Sequence, residues 1–61
     1  MLNKDNFNIQ EAFKLALKNH INKKFNNAKN LYNEILKIKP DHANVLNNLG
    51  ELFRVEGETD K

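Results

Sequence analysis

The sequence predicts an all-α fold of three antiparallel helices joined by two short turns. Three observations predict it. Apolar residues recur at three- and four-residue spacing in three successive segments. Turn or capping residues separate those segments, and no segment alternates polar and apolar residues with the period of two that a half-buried strand needs.

The first helix is expected over residues 8–22, where Ile9, Ala12, Phe13, Ala16, Leu17 and His20-Ile21 recur at the spacing of one helix face. Asn8 fits an N-cap, because its side-chain oxygen can accept from a free backbone N–H of the first turn. Glu11, three residues on, completes a capping-box-like pattern. Asn22-Lys23-Lys24 breaks the period, and a second helix is expected over 25–38 through Phe25, Ala28, Leu31, Tyr32, Ile35, Leu36 and Ile38. Pro40 ends it, since the residue before proline is pushed out of the helical region. Asp41 stands where the N-cap of a third helix, 42–56, belongs. Its inward face is expected at Ala43, Leu46, Leu49, Gly50 and Phe53, widened by Val45, Leu52 and Val55, with Gly57 as the stop. The chain then divides into an N-terminal arm (1–7), a helical domain (8–57) and a polar tail (58–61).

Sixty-one residues build only a thin core. Small domains usually add disulfides, a metal or a partner. The chain has no cysteine, and its two histidines, His20 and His42, are far apart in sequence, so neither a disulfide nor a metal site is expected and no cofactor is implied. Association with another chain is the remaining staple. No apolar run reaches the length of a membrane span, and no apolar signal core follows Met1, which gives a cytoplasmic expectation.

Residues 1–39 carry eight lysines against three acids, and residues 40–61 two basic groups against five acids, an asymmetry that favours contact between unlike halves of neighbouring molecules. Lys14, Lys18, Lys23, Lys24 and Lys29 invite a nucleic-acid reading, but the single arginine lies elsewhere, so base readout is not expected and any such binding would be weak and salt-sensitive. No phosphate-binding glycine loop and no nucleophile–base set can be assembled, which argues against an enzyme.

Shifting the sequence by 34 residues aligns Ala12 with Leu46, Leu15 with Leu49, Ala16 with Gly50 and Lys23 with Gly57. Leu46, Leu49-Gly50 and Phe53 resemble the first-helix pattern of the tetratricopeptide family, whose period is 34 residues. Ala28, Tyr32, Ile35-Leu36 and Pro40 resemble its second-helix pattern. The resemblance covers about residues 9 to 57 and amounts to about one and a half repeats, a helix-turn-helix plus one further helix of an α–α superhelix. Lys23 replaces the family's turn glycine, Asn19 its first-helix aromatic and Ile35 its alanine, as in an atypical terminal repeat.

The resemblance implies protein binding on a concave surface lined by first-helix residues. The corresponding positions here are Gln10, Phe13, Leu17, His20 and Ile21, then Asn44, Asn47, Glu51, Arg54 and Val55. Members that clamp a terminal carboxylate place Lys and Asn where Phe13 and Leu17 stand, so that ligand class is disfavoured. Asn48 matches the asparagine ladder of regions resembling those of protein O-glycosyltransferases, but Lys14 holds the equivalent place in the first repeat and no ladder forms within one chain. Because the third helix lacks a following partner helix, a homodimer is expected through Val45, Leu49, Leu52 and Phe53. The resemblance leaves open an N-terminal leader of a longer glycosyl- or sulfotransferase-like enzyme whose catalytic domain lies elsewhere. A non-specific nucleic-acid binder is the weaker alternative.

Overall fold

The computed structural model describes residues 8–59. The expected arm at 1–7 and Asp60 and Lys61 of the tail lie outside the described residues. The fold is all-α: α1 spans Ile9–Ile21, α2 Phe25–Ile38 and α3 Ala43–Thr59, and no strand occurs among the described residues.

Each boundary has a local cause. The Asn8 side chain accepts from the Glu11 backbone N–H at 3.1 Å, as an N-cap should. At the other end of α1, Lys23 adopts φ 64°, the left-handed region. Its N–H reaches the His20 carbonyl (3.1 Å) and the Lys24 N–H reaches the Asn19 carbonyl (2.8 Å), the paired closure of a Schellman motif. Lys39, just before Pro40, leaves the helical region at φ −133° and ψ 85°. The cap of α3 is His42 rather than the expected Asp41, its Nδ1 accepting from the Val45 N–H at 3.3 Å. α3 also runs through Gly57 to Thr59, so the expected stop at that glycine is not used and the first residues of the expected tail are helical.

α2 packs against both other helices and is antiparallel to each. Phe25, at its start, meets His20 near the end of α1, and Lys29 in its first half pairs with Glu56 near the end of α3. The core consists of Ala12 and Ala16 from α1, Ala28, Tyr32 and Ile35 from α2, and Val45 and Leu52 from α3. Small side chains at Ala12, Ala16 and Ala28 let α1 and α2 approach closely around the Tyr32 ring, which is fully buried.

α3 is rotated relative to the sequence expectation. Val45 and Leu52 are fully buried and Leu49 packs beside them, whereas Leu46 and Phe53 are 48% and 53% exposed and Gly50 is open to solvent. α3 is apolar around more than half of its circumference, so periodicity admits two inward faces. The 3.1 Å ion pair of Lys29 with Glu56 favours one of them, because Glu56 stands four residues beyond Leu52 and so on the same side of the helix. Of the four residues expected to mediate self-association, Val45 and Leu52 therefore belong to the chain's own core, Leu49 is half-buried and Phe53 alone is exposed.

Candidate protein-binding groove

α1 and α3 are both antiparallel to α2 and so run in the same direction. Phe13 of α1 meets His42 at the start of α3 with ring centroids 5.7 Å apart. About two turns further along, His20 is near enough to Glu51 to act electrostatically on that carboxylate. The facing sides of α1 and α3 between these two points are the candidate groove.

Phe13 is half-buried, its ring 6.3 Å from that of Tyr32. Leu17 and His20 are also half-buried, and Gln10 is exposed. Ile21, expected to continue this line, is 77% exposed. His20 is held by the Tyr32 hydroxyl, which lies 3.1 Å from its Nδ1. That bond satisfies the one polar atom of the buried ring, and burial raises the Tyr32 phenol above its ordinary pKa.

On α3, Asn44, Asn48, Glu51 and Val55 succeed one another at three- and four-residue spacing and share a stripe. Asn48 and Val55 are half-buried; Asn44 and Glu51 are exposed. Asn47 and Arg54, seven residues apart, lie on the adjoining, exposed stripe and thus form the rim rather than the floor. Arg54 bridges Glu51 and, at 2.8 Å, Glu58. The hydrogen bond from Arg54 is the main cause that holds the Glu51 carboxyl below its usual value, with smaller contributions from the charges of Arg54 and His20.

The candidate surface is therefore apolar on α1, at Phe13 and Leu17, and carries an amide and a carboxylate on α3, at Asn48 and Glu51. Sequence reasoning missed His42 as part of this surface; its position next to a helix start was the available signal, but not its stacking on Phe13. It also missed the contact of Lys29 with both Glu56 and the Phe53 ring, whose centroid lies 5.6 Å from the ammonium nitrogen. Such pairings between helices have no short-range trace in the sequence.

Among the described residues, no group of three or more His, Cys, Asp or Glu is placed to hold a metal ion, and no helix is long and apolar enough to cross a membrane. Compared with protein-family models, with curated proteins and with solved structures, the chain finds no match.

Proposed function

We propose that this chain is a tetratricopeptide-like protein-interaction module of the cytoplasm, without enzymatic activity of its own, which holds a peptide or protein partner in the α1/α3 groove and self-associates as a homodimer. The observation that carries the reading is the pairing of an apolar side with a polar one. Phe13 and Leu17 keep part of their apolar surface in solvent on α1, and Asn48 and Glu51 present an amide and a carboxylate on α3, whose start meets Phe13 through His42. A surface with apolar area to bury and polar groups that can bond a peptide backbone suits an extended chain. The 34-residue self-similarity and the spacing of Ala28, Tyr32 and Pro40 support the family resemblance.

Affinity capture with the purified chain, run in parallel with Phe13→Glu and Leu17→Lys, tests the groove. Partners held by the wild type are expected to be lost from both variants while far-ultraviolet circular dichroism stays the same. Retention of the same partners by both folded variants places binding on another face, and loss of helicity in both assigns the two side chains to the core.

A further inference from the structure

The two outer edges of the molecule differ in chemistry. On α1, the outer edge is mostly charged: Glu11, Lys14 and Lys18 are exposed and separate the exposed Leu15 from the exposed Ile21, so no continuous apolar patch forms there. On α3, the exposed Leu46 and Phe53 lie together on one side of Gly50, Phe53 beneath the Lys29 ammonium of α2, with nothing within 4 Å of where a Cβ on Gly50 would stand. The apolar edge is bordered by charges already neutralised within the chain. Arg54 bridges Glu51 and Glu58 on one margin, and Lys29 pairs with Glu56 on the other. Such a border offers a strongly acidic or basic partner little attraction, and it lets like meet like without repulsion.

We infer that the α3 edge formed by Leu46, Gly50 and Phe53 pairs with the same edge of a second copy, antiparallel, about a twofold axis at Gly50. The inference rests on the self-association reading above and gives it an interface. A twofold axis perpendicular to the helices keeps each margin of α3 beside the same margin of its partner but reverses direction. Leu46 then opposes the partner's Phe53 on one margin, and Asn47 opposes the partner's Arg54 on the other. Apolar meets apolar and an amide meets a guanidinium. A parallel twofold would set the Leu46 and Phe53 margin against Asn47 and Arg54, burying polar groups against carbon. Head-to-tail stacking of α3 onto the α1 edge of another copy would bury Glu11 and Lys18, so a closed dimer is favoured over a filament. The missing side chain of Gly50 lets the two backbones approach where they cross.

The absence of native cysteine makes the register directly testable by single substitutions under mild oxidation. Gly50→Cys should form a covalent dimer, because the two sulfurs meet at the axis. Leu46→Cys alone should not, because four residues either side of the axis separate its two copies by about 12 Å along the helix, beyond disulfide reach. In sedimentation, Phe53→Glu should weaken the dimer by about a hundredfold, roughly a tenfold step for each of the two rings, and remain helical because the ring is outside the core. Cross-linking of both cysteine variants would mean a parallel pair and overturn the antiparallel register. A wild-type dimer in which neither variant cross-links would move self-association to another face. A folded wild type that stays monomeric at high concentration would defeat self-association itself. If that monomer takes up a synthetic peptide with the sequence of residues 25–38, the edge seats a separate helix instead of a second copy.

Discussion

α1 and α3 are related by the 34-residue shift, yet the surfaces they bury are not the related ones. On α1 the chain covers Ala12 and Ala16, which are 8% and 0% exposed, and leaves Glu11 and Lys18 outside. On α3 it covers Val45 and Leu52, the positions related to Glu11 and Lys18, and leaves Leu46 and Gly50, the positions related to Ala12 and Ala16, outside. The difference follows from the position of α2, which follows α1 but precedes α3. A first helix in this pattern has two usable faces, one toward the helix before it and one toward the helix after it. Each of these two helices has only one described neighbour of the α2 kind, and the free face of α1 sets charges between the exposed Leu15 and Ile21, whereas that of α3 carries Leu46 and Phe53 together. The apolar patch of α3 is therefore the feature from which self-association is proposed, and the surface between α1 and α3 the one from which peptide binding is proposed.

The largest expected effect lies where α1 and α2 close on each other. Tyr32→Ala removes a fully buried ring together with the hydrogen bond to His20, and should lower stability by about 3–5 kcal/mol. Asn30→Ala, on the exposed side of the same helix, should stay within about 0.5 kcal/mol. Equal urea midpoints for the two variants would remove Tyr32 from the centre of the core.

A sharper form of the comparison places the same side chain at two related positions. Ala16→Leu forces a larger group into a site with no exposed surface and should cost about 1–3 kcal/mol. Gly50→Leu enters open space on a helix where leucine is a better helix former than glycine by up to about 1 kcal/mol, so it should stabilise the chain when monomeric. The opposite signs, read by urea unfolding of dilute protein, are the test. Destabilisation by Gly50→Leu under those conditions would show that the α3 edge is already covered within a single chain.

These contrasts also mark how far the sequence was readable. Helix number and the approximate spans of α1 and α2 were legible because each has a single apolar stripe and its own stop signals, and the Asn8 cap was legible because capping is a three-residue affair. The rotation of α3 was not. Leu46, Leu49 and Phe53 make as good a stripe as Val45, Leu49 and Leu52, and the choice depends on contacts with α2, including the distant Lys29 to Glu56 pair. Phe13 and Leu17 were expected to be partly exposed on α1, and both are half-buried. The role of His42 as the residue stacked against Phe13 depended on the turn around Pro40, whose path the residue types alone do not specify.

The smallest expected effect concerns the related pair Lys23 and Gly57, where the lysine occupies the conformation that suits a glycine and the glycine does not. Lys23 closes α1 with φ 64°, at a steric cost of roughly 1–2 kcal/mol for a residue with a Cβ. Gly57 has no positive φ and continues α3. Lys23→Gly should relieve the steric cost but give back part of it, since glycine also gains freedom in the unfolded chain. The net gain should be about 0.5–1 kcal/mol, and in a domain of this size each kcal/mol is roughly 4–8 °C of melting temperature. Gly57→Ala should add a few tenths at most, roughly, because the last turn of a helix is already frayed. Thermal melts of the two variants should therefore rank Lys23→Gly above Gly57→Ala and the latter just above wild type. A fall in melting temperature on Lys23→Gly would mean that Lys23 is not left-handed in solution and that α1 ends by some other closure.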